Sequence, residues 1–353
     1  MGKKFMQLKN RFSNMIPKII EECEYQRLSV NNKLEFFKPN YTQKQKTFAE
    51  DISASLNQNP KKINPKYLYD DYGSKLFEDI CLLSEYYPFE SEKSILKNIA
   101  KKLIPHMDSK IRIVELGSGS SSKTRLLINA LKSQTQIEYF PIDISEILID
   151  SSKKLYQEYE DLRITGIIDT YESGLNFIKN FDDKPNLITF LGSSFGNFNE
   201  YEGRKFLRKI HDLMKTHDFF LIGLDLSKDH KILHNAYNDS KGITAKFNLN
   251  ILERINRELH ANFDVSKFEH YAFYNEDECR IEMHLRSLSN QTVQIPKANI
   301  SIKLTKNELI HTENSYKFSV SQIESMLNDS DFDINEIWFD AKRYFALVLA
   351  KKH

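Results

Sequence analysis

The chain has 353 residues with 50 basic and 49 acidic side chains and a net charge of +1, so it presents no bulk field for nucleic acid or an anionic membrane, and its partner is expected to be a small molecule. Apolar residues make up 40%, enough for one large or two ordinary domains, and no apolar run approaches the ~20 residues a membrane-spanning helix needs. Three well-separated cysteines (Cys23, Cys81 and Cys279) form neither a C-x-x-C pair nor a disulfide framework, which fits a reducing, cytoplasmic setting and no metal.

Residues 1–30 place apolar side chains at Phe5, Leu8, Phe12, Ile16, Ile19 and Ile20, close to helical spacing, but Lys9, Arg11 and Lys18 interrupt them and Glu21 and Glu22 follow. That is a poor export signal. The segment is expected to be a helical extension that packs on the body of a monomer or mediates self-association. Residues 43–95 are rich in aromatics, with Tyr67, Tyr69, Tyr72, Tyr86 and Tyr87 close together. A tyrosine offers a flat π face to a methylated cation and a hydroxyl to fix geometry, although each one singly is an ordinary core residue.

The most informative stretch is 113–124, a buried strand that runs into a glycine turn and then a helix. Gly117 and Gly119 allow a sharp bend and close backbone approach, and the helix after them points free N–H groups into the same space. Ser122 replaces the third glycine of G-x-G-x-x-G, so no pyrophosphate is required there. A second strand, 138–142, ends in Asp143, an acceptor for a ribose diol. Glu115, Gly117, Ser118 and Gly119 with a distal Asp143 suit S-adenosylmethionine better than a nicotinamide dinucleotide. Further strands at 163–168, 187–191 and 219–226 alternate with helical patterns at 123–131, 145–156 and 201–214, which predicts a doubly wound parallel sheet. The loop after the fourth strand holds Gly192, Gly196 and Asn197 at the carboxyl end of a strand beside the glycine turn. It faces the reactive end of a cofactor, or else it is a capped turn.

Between 229 and 317 the pattern changes to a helix around 248–259 and then period-two segments at 280–285, 292–295, 300–304 and 309–318. These predict an inserted α+β cap over the carboxyl ends of the parallel strands. Glu313 and Ser315 share one face of the last segment while Asn314 faces away, so a carboxylate and a hydroxyl stand side by side. They suit imidazole, whose N–H the carboxylate accepts; the hydroxyl serves the second nitrogen in either protonation state, while a solvated edge strand is the plainer alternative. His230 with His234, and His311 with Glu313, lack the remainder of any metal signature. A helix at 320–327 and strands at 334–339 and 344–349 close the chain. The last two are joined too tightly for a parallel crossover, so they pair antiparallel, as in class I methyltransferase sheets. The expected domains are an extension (1–38), the first part of the cap (39–95), the cofactor-binding core (96–228), the inserted cap (229–317) and the closing helix and hairpin (318–353).

Many of these segments, in this order, resemble the histidine Nα-methyltransferases of ergothioneine biosynthesis. The likeness runs from about Pro39 to the C-terminus. It is carried by Tyr67-Leu68-Tyr69-Asp70, Glu85-Tyr86-Tyr87-Pro88, Glu115-Leu116-Gly117-Ser118-Gly119, Leu191-Gly192-Ser193 with Gly196-Asn197, Asp225-Leu226 with Lys228-Asp229, Arg280-Ile281-Glu282-Met283, and Glu313 with Ser315 and Lys317-Phe318. It implies trimethylation of L-histidine to hercynine with S-adenosylmethionine as methyl donor. Gly117, Lys123, Asp143 and Asp169 then match cofactor positions. Tyr69, Tyr87, Gly192, Asn197 and Tyr237 match positions for the amino and carboxylate groups of histidine, Glu313 and Ser315 those for imidazole, and Met283 a residue beside the ring. Tyr69, Tyr87 and Asn197 are expected to orient the reacting nitrogen. The alternatives are another amino-acid or amine acceptor, a non-catalytic cofactor-binding protein and, more remotely, a nicotinamide dehydrogenase.

Overall fold

The computed structural model describes residues 25–40, 47–103, 110–119, 122–132 and 136–353. Strands β1 (Tyr25–Ser29) and β2 (Leu34–Pro39) come first, followed by α1 (Phe48–Leu56), a short β3 (Lys61–Lys62), α2 (Asp71–Cys81) and α3 (Tyr87–Leu103). An alternating run comprises β4 (Lys110–Leu116), α4 (Ser122–Leu131), β5 (Gln136–Asp143), α5 (Ile147–Glu158), β6 (Arg163–Ile168), α6 (Tyr171–Lys179), β7 (Asn186–Phe190), α7 (Glu200–Leu213) and β8 (Phe219–Asp225). After it come α8 (His230–Tyr237), α9 (Ile243–Leu259), β9 (Phe268–Asn275), β10 (Arg280–Ser287), β11 (Gln291–Ile295), β12 (Ile300–Leu304), β13 (Leu309–Tyr316), α10 (Val320–Asn328), β14 (Phe332–Phe339) and β15 (Phe345–Lys352).

The large sheet has the order β1-β2-β6-β5-β4-β7-β8-β15-β14. From β2 to β8 every pairing is parallel, and β15 with β14 closes the far edge antiparallel. This is the class I methyltransferase arrangement expected from the sequence. Strand side chains alternate between two covered faces, so β4 sends Val114 into one core with Phe140, Ile188, Ile222 and Val348, and Ile113 into the other with Tyr139, Leu187, Leu221 and Leu347. The chain builds outward from β4 to β6 and then crosses back to β7. The carboxyl ends of β4 and β7 therefore flank the switch point where open α/β sheets bind ligands.

Two expectations about the N-terminal part need correction. The apolar positions up to Ile20 lie outside the described residues, and residues 25–39 are not an appendage, because β1 and β2 form a hairpin that extends the main sheet beside β6. Leu34, Glu35, Phe36 and Phe37 are all buried. A strand covered on both faces shows no alternation, so this one carried no period-two signal. The 95/96 boundary also divides one helix: Ile95, Leu96, Ile99 and Leu103 of α3 all belong to the core of the large sheet.

A second layer holds a four-stranded sheet ordered β3-β13-β10-β9 and a separate β11-β12 hairpin. The four segments predicted between 280 and 318 are divided two and two between these sheets, and the four-stranded one is completed by β9, not predicted from the sequence, and by the parallel β3. Its core, which includes Leu285 of β10, is continuous with residues of α1, α2 and α9, among them Leu56, Leu76 and Ile251. The layers are joined where β8 ends: the Phe318 N–H donates to the Asp225 carbonyl at 2.9 Å and the Ser227 N–H to the Phe318 carbonyl at 3.0 Å. Replacing Phe37, which is fully buried, by Ala should cost about 3–5 kcal/mol in urea unfolding. A loss below about 1 kcal/mol would mean that the hairpin is detachable from the sheet.

Candidate active site

The glycine turn after β4 is built for close approach. Gly117 and Gly119 have φ of 73° and 46°, the left-handed region that side chains rarely tolerate. A Cβ on Gly117 would lie 2.7 Å from the Tyr171 hydroxyl, whereas one on Gly119 would meet nothing within 4 Å, so the space above Gly119 is open. The Gly117 N–H donates to the Ile142 carbonyl at 2.9 Å, which fastens the turn to the end of β5 beside Asp143. Asp143 accepts from the Ser145 N–H at 3.0 Å, and burial raises its pKa against that bond and a further one from the Gly119 N–H.

Asp169, at the end of β6, accepts from the Thr170 N–H at 2.6 Å and from the Tyr25 hydroxyl, and its own N–H donates to the Asp143 carbonyl at 3.0 Å. The topology thus gathers Gly117, Ser118, Gly119, Asp143 and Asp169 at the carboxyl ends of three adjacent strands. The buried Ser118 hydroxyl has no hydrogen-bond partner among the described residues. An open cradle, an orphan hydroxyl and two carboxylates fit the adenosine portion of S-adenosylmethionine.

Glu115 and Lys123 take other roles. Glu115 is buried under the turn, accepts from the Thr124 and Tyr139 hydroxyls, and has its pKa pushed up by burial to about 7. It braces β4 against α4 and β5 instead of facing a ligand. The Lys123 ammonium pairs with Glu92, whose two carboxylate oxygens each lie 3.0 Å from the Gly192 nitrogen. Gly192 therefore spends its N–H on Glu92 and has none for a substrate. Glu92 was not found in the sequence, because a single carboxylate inside a helix carries no signature.

On the acceptor side, Tyr69 presents its ring edge to Phe77 and Phe247, each at 5.4 Å between centroids, and its hydroxyl has no hydrogen-bond partner among the described residues. Tyr86 packs at 6.2 Å against both Tyr237 and Phe77. Burial, reinforced by the charge of Glu313, holds the hydroxyls of Tyr69 and Tyr86 well above the ordinary tyrosine pKa. Tyr87, the expected contact, is turned elsewhere: its hydroxyl donates to Asp225 at 2.7 Å and accepts from Lys228 at 2.8 Å. Helix α3 begins at Tyr87, and neighbouring residues at a helix start point in different directions, so Tyr86 and not Tyr87 joins the aromatic group of Phe77 and Tyr237. Nothing in Glu-Tyr-Tyr-Pro says which tyrosine faces inward. Tyr237 is also committed, donating to the Ser315 hydroxyl at 2.7 Å and accepting from Lys317 at 3.2 Å.

Glu313 and Ser315 face the second core together, Met283 pairs directly across from Glu313, and Asn314 turns away to His311 at 2.8 Å. Glu313 is only 8% exposed and its Oε2 has no hydrogen-bond partner among the described residues. Burial, partly offset by Lys317, pushes its pKa up to about 7. Asn197 ends the 3-10 turn that spans Ser194–Asn197, and this turn backs onto β13: a Cβ on its Gly196 would lie 3.1 Å from the Tyr316 carbonyl. The Asn197 amide has no hydrogen-bond partner among the described residues and is only half-buried. Among those residues no cluster of His, Cys, Asp or Glu could hold a metal, and His230 instead pairs with Glu276 at 2.9 Å.

A family model described as "Histidine-specific methyltransferase, SAM-dependent" matches residues 48–352. Histidine N-alpha-methyltransferase of Mycolicibacterium smegmatis is 36% identical over 85% of this chain and 93% of its own length, and that of Mycobacterium tuberculosis is 36% identical over 86% and 94%. Ergothioneine biosynthesis protein 1 of Schizosaccharomyces pombe is 30% identical over 76% of this chain and 36% of its own.

A carboxyl whose folded pKa exceeds the unfolded value of about 4.3 stabilises the fold while protonated, and that stability is lost as pH rises from about 4 to 7. Glu313→Gln should therefore stabilise the ligand-free protein on the order of 1–3 kcal/mol at pH 8, with the gain shrinking toward pH 5. Thermal melts at both pH values check this; a pH-independent effect would mean that Glu313 is solvated.

Proposed function

This chain belongs to the histidine-specific, S-adenosylmethionine-dependent methyltransferases, and from that premise we propose that it trimethylates the α-nitrogen of L-histidine to hercynine, the first step of ergothioneine biosynthesis. The observation that carries the acceptor assignment is the Glu313 oxygen, buried without a partner among the described residues, directly across from Met283 and near enough for its charge to act on the hydroxyls of Tyr69 and Tyr86. Leaving such a group unsatisfied costs roughly 1–3 kcal/mol, and an imidazole N–H is the partner it lacks. A ring without that N–H leaves the cost standing, which is how a site of this type discriminates.

The bound cofactor supplies a methyl group activated by its sulfonium. Gly117 and Gly119 give it backbone access, and Asp143 and Asp169 lie where its ribose and base are to be held. The chain's remaining work is placement. Tyr69, Tyr86 and Asn197 surround the α-amino group, with phenol oxygens and the amide carbonyl accepting its N–H bonds so that the nitrogen lone pair points along the line of attack. The phenols stay protonated and are orienting groups, not bases. An α-amine with a reference pKa of about 8 is partly neutral near neutral pH, and burial favours that form further. With the methyl donor bound, the nitrogen would have to release one proton to water after each of the first two transfers, before the next could follow. The third round gives a quaternary ammonium that has no proton to lose. Near-attack positioning of this kind can supply about 7–11 kcal/mol.

Free thiols at Cys81 and Cys279 suit a reducing, cytoplasmic compartment, and no helix among the described residues is long and apolar enough to cross a membrane. Incubation with labelled S-adenosylmethionine and single amino acids should label histidine alone, and mass spectrometry should find three added methyl groups on its α-nitrogen. Label on another amino acid with histidine inert would overturn the assignment. Asn197→Ala should lower kcat/KM for histidine by about 10²-fold and leave cofactor affinity within about threefold, as titration calorimetry would report.

A further inference from the structure

The Ser315 hydroxyl has its acceptor side filled. Lys317 Nζ donates to Ser315 Oγ at 2.7 Å, to the Tyr237 hydroxyl at 3.2 Å, and to Asp225 Oδ2 at 2.9 Å, so each of its three N–H bonds has a partner. The Tyr237 hydroxyl, having accepted from Lys317, donates its own proton to Ser315 Oγ at 2.7 Å. A serine oxygen has two lone pairs, and here both are used. Ser315 is 4% exposed and Lys317 1%, so water does not exchange into these bonds. What Ser315 has left is one O–H.

We propose that Lys317 is a specificity-determining residue that acts through Ser315: by occupying the hydroxyl's acceptor side it makes Ser315 a donor only, so the site admits a ring with a bare nitrogen toward Ser315 and an N–H toward Glu313. That combination is one tautomer of neutral imidazole. Imidazolium carries N–H on both nitrogens and would set a proton against the Ser315 O–H. Pyrrole and indole rings have no bare nitrogen, and phenyl rings have no nitrogen at all. The inference rests on the reading that the histidine ring lies between Glu313 and Ser315, and it adds to that reading the polarity of the second contact and the residue that imposes it. Asp225 keeps the Lys317 charge compensated in a fully buried position, so the polarity holds across the working pH range.

Two measurements test this. In a double-mutant cycle on histidine turnover, Lys317→Met should lower kcat/KM at least about tenfold, chiefly through KM, but less than about twofold when Ser315 is already Ala. Equal losses in both backgrounds would show that Lys317 does not act through Ser315. Lys317→Met removes one of the two ammonium partners of the buried Asp225 and could fail to fold. The second test therefore needs only the native protein and Ser315→Ala, and it measures binding of two ring analogues, each as its tighter regioisomer. Thiazolylalanine offers a bare nitrogen and no N–H, and its affinity should fall at least about tenfold on Ser315→Ala; pyrrolylalanine offers an N–H and no bare nitrogen, and its affinity should change less than about twofold. The reverse pattern would make Ser315 an acceptor and overturn the proposal while leaving histidine as the substrate. If neither Ser315→Ala nor Glu313→Gln alters the KM for histidine, the placement of the ring itself is wrong.

Discussion

The Asp225 carboxylate is the constraint that fixes the relation between the two layers. It ends β8, is fully buried, and is met by the ammonium groups of Lys228 and Lys317 and by the Tyr87 hydroxyl. Alone it would be too costly to bury, and either lysine alone would be as well. Together they make a compensated cluster. Burial is the largest influence on Lys228 and draws its pKa down to about 8 even with Asp225 beside it, and the neighbouring Lys317 charge acts in the same direction. Lys317 adjoins the strand that bears Glu313 and Ser315, so the cluster ties the acceptor-recognising strand to the carboxyl end of the cofactor-binding sheet. Methyl transfer needs those two surfaces in fixed register, because a misplacement of about 1 Å between reacting atoms can cost 10²-fold in rate.

Around that anchor the site is divided by charge and by hydrogen-bond polarity. Groups on the cofactor side are either open to a ligand, such as the space over Gly119, or are braces with filled valences, such as Glu115 and Glu92. On the acceptor side one carboxylate oxygen has no partner among the described residues, while the Ser315 and Tyr237 hydroxyls are bonded to each other and to Lys317. A ligand that supplies a donor to that oxygen relieves the cost of having buried it. The opposing tendencies of stability and recognition meet in a single side chain, Glu313.

Much of this was legible in the chain. The strands of the parallel core follow from apolar runs between helical periods, the antiparallel closing pair from the short connection near residue 340, and the inward pairing of Glu313 with Ser315 from strand alternation. The cofactor turn was evident because glycines at a strand-helix junction have few other uses. What remained hidden had physical reasons. The β1-β2 hairpin lacked alternation because both of its faces are covered, and β9 mixes polar and aromatic residues on a half-buried surface. The choice between Tyr86 and Tyr87 depends on where α3 begins, a boundary that a repeated residue does not mark. Glu92 bonds to Gly192, 100 residues away, and Lys317 to Tyr237 and Asp225 on other elements, and local pattern does not reveal such contacts.

The most direct test of the central claim is a crystal structure with L-histidine and S-adenosylhomocysteine bound. Glu313 Oε2 should lie about 3 Å from one ring nitrogen and Ser315 Oγ about 3 Å from the other, with the α-nitrogen turned toward the cofactor sulfur. A histidine bound with its ring away from Glu313, and that carboxylate oxygen met instead by water or a lysine, would contradict it.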